Sequence, residues 1–167
     1  LVRTRDKALI ESADYVIDVG GEYDPETNRF DHHQRGGAGE RENGIPFSSF
    51  GLVWKKYGLA LCDDNQAVAD RVDSGLVSTI DAIDCGHVEG VSKGISLSQT
   101  ISMFNPTWEE ESNFDTCFDE AVEFAARMLV RFIASAHGSV NAKEIVAKAI
   151  ENAEDARVIV LEKYTPW

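Results

Sequence analysis

Tyr15-Val16-Ile17-Asp18-Val19-Gly20-Gly21, followed by Arg29-Phe30-Asp31-His32-His33, is the stretch whose reading decides the fold. The β-branched run Val16-Ile17 stopped by two glycines is the pattern of a short buried strand that ends in a tight turn, which puts Asp18 near the strand's C-terminal end. Tyr23-Asp24-Pro25-Glu26-Thr27-Asn28 carries the Asp, Pro and Asn chemistry of a turn, and Arg29-Phe30 predicts a brief strand leading into Asp31. The expected unit is a hairpin-like excursion that delivers Asp31 and two histidines beside Asp18.

Carboxylate oxygens mixed with imidazole nitrogens suit Mn(II), Zn(II) or Fe(II), whereas carboxylates alone would suit Mg(II) or Ca(II). Neighbouring histidines in an extended strand point to opposite faces. Asp31 is therefore expected to begin a turn or helix, with one histidine on a metal and the other on a second metal or on substrate. The competing reading makes Asp31 a cap, Asp18 a turn residue and the imidazoles surface hydrogen-bonding groups.

Outward from the triplet, Arg35, Gly36 and Gly37 offer a guanidinium and open backbone N–H groups to a phosphate oxygen, against the alternative of a solvated loop. The segment 34–46 lacks periodicity and reads as a mobile surface loop. Ser48 or Ser49 opens a helix running to Gly58, where their donors could meet phosphate or simply cap the helix. A second helix is expected over about 65–84, carrying Asp81 and Asp84 three residues apart on one face. Either of them could reach the site.

The rest of the chain predicts scaffolding. Leu1 to Asp6 reads as the end of a strand entering a helix that lasts to Ser12. Helices are expected over 95–103, over 114–136 and from Asn141, with a late strand at Val158-Ile159-Val160-Leu161. No repeat or linker divides the sequence, so one domain over 1–167 is expected.

The 167 residues are 43% hydrophobic and 27% charged, as in ordinary globular chains. A formal charge of −13 argues against broad, charge-driven attraction to nucleic acid or an anionic membrane. A polyanionic substrate would need local help, such as bound divalent cations. Cys62, Cys85 and Cys117 are odd in number and widely spaced, which suits a reducing compartment better than a disulfide framework. No apolar run approaches the ~20 residues of a membrane span, and no leader segment is recognisable. Phosphate-binding P-loop, dinucleotide-binding and G-x-S-x-G signatures are absent.

Further motifs join the first: Val2-Arg3-Thr4-Arg5-Asp6, Asp18-Val19-Gly20-Gly21-Glu22-Tyr23-Asp24-Pro25, Asp31-His32-His33-Gln34-Arg35-Gly36, Ser48-Ser49, Asp81-Ala82-Ile83-Asp84 and Asn105-Pro106-Thr107-Trp108. Together they resemble the melanocyte-proliferating-gene family of DHH phosphoesterases, relatives of RecJ-type nucleases and manganese-dependent inorganic pyrophosphatases, over essentially the whole chain. The resemblance implies an α/β fold with a mainly parallel sheet flanked by helices. It implies a single DHH-type core over 1–167, a fragment lacking the family's first strand, its first metal motif and its C-terminal lobe. It also implies divalent-metal-dependent phosphodiester hydrolysis, a 3′-to-5′ exonuclease acting on RNA or short oligonucleotides. Mn2+ is the expected metal and Mg2+ the alternative.

On that carry-over the metal ligands are Asp18, Asp31, His32 and one of Asp84 or Asp81, and the catalytic pair is His32 and His33. His33, Arg35, Gly36, Ser48 and Ser49 form the expected substrate-binding set. Family members are placed in the nucleus and mitochondrion. Competing functions are a phosphatase for pyrophosphate or a small nucleotide, and a non-catalytic binding module. No membrane partner is expected, and the sequence leaves the oligomeric state open.

Overall fold

The computed structural model of the chain describes residues 1–87, 95–111, 113–155 and 157–166. Leu1 to Asp6 is irregular, not strand. Helix α1 spans Lys7–Ser12, and the Asp6 carboxylate caps it by accepting from the N–H groups of Ala8 and Leu9. Three two-residue strands follow: β1 (Val16–Ile17), β2 (Tyr23–Asp24) and β3 (Arg29–Phe30).

The sheet order is β1-β3-β2, with β1 parallel to β3 and β2 antiparallel to β3. The expected mainly parallel sheet is thus replaced by a small mixed one. The turn between Asp24 and Arg29 is too short for a crossover, so β2 and β3 must pair as a hairpin, and only β1 meets β3 in the parallel sense. Phe30 is fully buried and meets the rings of Tyr57 at 6.1 Å and Tyr23 at 6.5 Å. Burying such a side chain contributes about 1.5–3 kcal/mol and fixes the residue that immediately precedes Asp31.

Helix α2 (Ser49–Leu61) packs on β3 and on the long helical run that follows. That run comprises α3 (Gln66–Val72), a π-helical turn (Asp73–Val77) and α4 (Ser78–Asp84), covering the predicted 65–84 helix. In an uninterrupted α-helix, residues eight apart lie about 80° around the axis from each other. The wider π turn absorbs the excess, and Asp73 and Asp81 both reach Arg41.

Helix α5 (Leu97–Ser102) is closed at its start by a reciprocal Ser96/Gln99 capping box. It ends ahead of Asn105-Pro106, where proline disfavours helix in the residue before it. Helix α6 is a single 38-residue element, Phe114–Glu151, in place of the two helices expected. The helix start expected at Asn141 lies inside it, and Gly138 costs only about 1 kcal/mol, too little to break a helix this long. α6 packs against α3 and α5. The buried core gathers Trp54, Val68, Val72, Leu76, Val77 and Ala136.

The late strand does not form. Residues 158–161 are irregular, and Val158 and Val160 are 62% and 80% exposed. β-branched residues fit a pleated surface only when a partner strand is present, and none pairs with them among the described residues.

The 34–46 segment is more regular than a featureless loop. Glu40 bridges Pro46 in antiparallel fashion, and the Gly44 and Arg41 N–H groups close the turn onto Arg41 and Ile45 carbonyls. Arg41 anchors it. The guanidinium donates to Asp73 through Nε and Nη2, at 3.3 and 2.8 Å, and to Asp81 through Nη1, and it lies 4.4 Å over the Phe47 ring.

Candidate metal centre

β1 and β3 end side by side, so the residues just after them, Asp18 and Asp31, become neighbours. Asp18 has φ of 65°, a left-handed conformation that Asp tolerates better than most residues. The chain therefore turns sharply at the strand end. Gly20 and Gly21, with φ of 99° and 72°, continue that turn and aim the Gly21 N–H at Asp31 Oδ2, 2.6 Å away. Asp31 is 2% exposed, and its Oδ1 accepts from the His33 N–H at 3.0 Å and from His33 Nδ1 at 2.7 Å.

Those two bonds to His33 curl the chain, and β3 stops at Phe30. His32 and His33 consequently lie on the same side, stacked with ring centroids 4.2 Å apart, and not on opposite faces as in a strand. Their surroundings differ. His32 is 13% exposed and His33 59% exposed.

The N-terminus of α2 orients His32. The Ser49 backbone N–H donates to His32 Nδ1 at 3.1 Å, and the Ser49 hydroxyl donates to Asp18 Oδ1 at 3.0 Å. A backbone N–H can only donate, so Nδ1 is the acceptor and the neutral ring carries its proton on Nε2. Nε2 faces Asp84 Oδ2 at 3.5 Å.

One donor atom from each of Asp18, Asp31, His32 and His33 fits within 4.8 Å of the others. A two-oxygen, two-nitrogen set of this kind matches divalent transition metals, so the residues present fit the metal the motifs implied. Asp84 adds a carboxylate beside His32. Asp81, three residues earlier, is fully buried and turned elsewhere: it accepts from Ser48 Oγ, from the Gly51 N–H at 3.0 Å and from Arg41. It thereby satisfies a free N–H in the first turn of α2, and Ser48 makes no cap bond of its own. A Cβ on Gly51 would overlap the Asp81 carboxylate, so this close approach of α2 and α4 requires glycine.

The expected substrate set is accordingly split. Ser49 is part of the His32 and Asp18 network, Ser48 serves Asp81, and Arg35 and Gly36 are exposed beyond His33 in a turn closed by the Gly37 N–H onto the Gln34 carbonyl. Beside the cluster opens a cleft of about 610 Å³, with Asp18, Asp31 and His33 on its wall. Sequence reasoning missed Arg41 and Asp73, whose pairing spans 32 residues with no local signature. It also missed Arg5, Lys7 and Arg29 on the cleft wall.

Asp31 and His33 shift each other's protonation. Burial pushes the Asp31 carboxyl up, but the Gly21 N–H and the His33 contacts outweigh it and hold it below its ordinary value of 3.8. The hydrogen bond to Asp31 raises His33 above its ordinary 6.5. The Asp31 contribution to metal-free stability is present above 3.8 and lost as pH falls through its lower folded value. The His33 contribution is complete below 6.5 and lost as pH rises through its higher folded value. In the metal-free protein, the urea-midpoint advantage of wild type over His33→Ala is therefore expected to peak at about pH 5 and shrink above the His33 value. An advantage that grew steadily toward pH 8.5 would show that the imidazolium is not what stabilises the pair.

No helix of the described residues is long and apolar enough to cross a membrane, and all three cysteines are free. No solved structure matches the chain, so its likeness to DHH folds has no structural counterpart to rest on. The chain is similar to an MYG1 protein of Saccharomyces cerevisiae, at 32% identity over all of this chain and 59% of that protein. It is also similar to the MYG1 exonuclease of Bos taurus, at 29% identity over all of this chain and 52% of that protein. The human MYG1 exonuclease aligns at 30% identity with 90% of this chain and 46% of its own length. The chain thus spans about half to three-fifths of the curated relatives it matches. The MYG1 exonuclease family model, described as an uncharacterised protein family (UPF0160), matches residues 1–167, the same span over which the motifs showed their resemblance, and the chain belongs to that family.

Proposed function

We propose that this chain carries the metal-binding core of a divalent-metal-dependent phosphodiester hydrolase of the DHH type, acting as a 3′-to-5′ exonuclease on RNA or short oligonucleotides. The observation that carries the reading is the convergence of Asp18, Asp31, His32 and His33 donor atoms within 4.8 Å, with Asp18, Asp31 and His33 on the wall of an open cleft. The naming of the bovine and human relatives as exonucleases supports the reaction class. Mn2+ is the metal that the mixed donor set favours, with Mg2+ second.

Asp18, Asp31, His32 and Asp84 would hold the metal. When bound, it supplies Lewis-acid polarisation of a phosphoryl oxygen and a water of lowered pKa. The chain's own residues do the rest. Ser49 ties the His32 ring and Asp18 to one point at the start of α2, which fixes their positions relative to each other. Asp31 holds the proton on His33 Nδ1, and the exposed His33 ring keeps its other nitrogen for a phosphate oxygen or the leaving oxygen.

The test is cleavage of a 5′-labelled single-stranded oligoribonucleotide by the full-length protein, with and without Mn2+. Stepwise shortening from the 3′ end that stops with EDTA is the expected result. An intact substrate together with no measurable Mn2+ or Mg2+ binding would overturn the reading. The net charge of −13 favours a second reading, a phosphatase for pyrophosphate or a small nucleotide, since a short anion meets less repulsion than a long one. Faster turnover of pyrophosphate than of oligoribonucleotide would select it.

A further inference from the structure

Three cations converge where an acidic protein has least reason to place them. Arg5, just ahead of α1, Lys7, at its first position, and Arg29, in β3, line the same 610 Å³ cleft as Asp18, Asp31 and His33. Arg5 and Lys7 are exposed, and no ion pair is formed by Arg5, Lys7 or Arg29 among the described residues; the Arg29 guanidinium donates to the Thr27 carbonyl at 3.1 Å. The cleft also carries Glu11 and Glu22, so its bare charge does not favour an anion. Neutralising Asp18 and Asp31 with a divalent cation would leave three cations against those two acids and reverse the local sign.

We infer that Arg5, Lys7 and Arg29 are a phosphate-binding wall that holds the backbone of a single-stranded nucleic acid on the nucleotides flanking the bond to be cut. This inference rests on the hydrolase reading and adds the substrate's path to it. A chain lying along the cleft would have one phosphate at the Asp18, Asp31 and His33 end and its neighbours over the three cations. Lys7 acts as a point charge, and the two guanidiniums can hold phosphate oxygens in pairs. The wall reads charge and not base identity. It also supplies a local answer to the repulsion implied by the overall charge.

The experiment compares full-length wild type with Arg5→Gln/Lys7→Gln/Arg29→Gln. Because Arg29 lies in a strand, a second variant, Arg5→Gln/Lys7→Gln, changes only exposed residues, and urea midpoints check that each is folded. Binding of a fluorescent single-stranded oligoribonucleotide is measured by anisotropy in Ca2+ across a salt series. The triple variant is expected to raise Kd at least about tenfold and to flatten the log Kd against log salt slope by about 2, at about 0.7 per lost phosphate contact on a single strand. The double variant should show about two-thirds of that slope change. In Mn2+, the ratio of kcat/KM on the oligoribonucleotide to kcat/KM on bis(p-nitrophenyl) phosphate, which has no flanking phosphates, should fall by about the same factor.

A salt slope and ratio equal to wild type in folded variants would overturn the wall while leaving the hydrolase reading intact. Parallel losses on both substrates, with an unchanged ratio, would also overturn it, since the residues would then serve only the fold or the metal. A wild-type protein that cleaves neither substrate in Mn2+ would instead sink the hydrolase reading, and the wall with it.

Discussion

Asp31→Asn is expected to weaken Mn2+ binding by at least about a hundredfold and to slow oligoribonucleotide hydrolysis by about a thousandfold, because a carboxylate ligand carries several kcal/mol of the metal's contribution and each 1.4 kcal/mol is tenfold. The geometry makes asparagine a severe test and not a gentle one. Both Asp31 oxygens are already acceptors, Oδ2 from the Gly21 N–H at 2.6 Å and Oδ1 from His33 at 2.7 and 3.0 Å. An amide must turn its NH2 toward one of these donors, so one bond becomes a donor facing a donor. That conflict, in a residue 2% exposed, should also cost about 1–3 kcal/mol of stability. His33→Ala, at a 59% exposed ring, should leave metal affinity closer to wild type while reducing turnover. Isothermal titration with Mn2+ separates the effects. An Asp31→Asn protein that stays folded and binds Mn2+ within threefold of wild type would reduce Asp31 to a residue that fixes a turn.

What the sequence reveals about this site is whatever is local. A β-branched pair ended by two glycines, a turn-rich linker and Arg29-Phe30 predict that Asp18 and Asp31 meet, because each signal acts over a few residues. The same is true of the helix entered at Asp6, the helix expected over 95–103 and the helix after Ser48. Sheet sense was less legible: local turn chemistry favoured a hairpin while the resemblance implied a mainly parallel sheet, and strands of two residues carry too little pattern to decide between them. The distinction between Asp81 and Asp84 was beyond local reading. Three residues apart, they are separated by what arrives from elsewhere: Arg41 and the α2 N-terminus at Asp81, and His32 at Asp84. Nor could periodicity show that an interposed π turn would bring Asp73 around to share Arg41, or that Val158 to Leu161 would find no strand to pair with.

Arg41→Met is expected to destabilise the protein by about 3–5 kcal/mol, the usual result of stripping one partner from a buried ion pair. The Arg41 side chain is 10% exposed and Asp81 is fully buried, so the orphaned carboxylate would keep only Ser48 and the Gly51 N–H. Lysine should recover less than half of the loss. Its single ammonium cannot reproduce the fork that reaches Asp73 and Asp81 together or the guanidinium stacked on Phe47. If the cost comes from the uncompensated charge, Arg41→Met/Asp81→Asn should be more stable than Arg41→Met alone, since asparagine retains an acceptor for Ser48 and Gly51 without a buried charge. Urea unfolding of the three variants decides it, and a double variant no more stable than Arg41→Met would refute the electrostatic account.

The same comparison reaches the candidate metal centre. Asp84 lies on α4 with Asp81, and Ser49 follows Ser48, so the clamp that joins α2 to α4 also sets the positions from which Ser49 and Asp84 address His32. Mn2+ affinity should therefore fall with Arg41→Met and recover with the double variant, in step with stability.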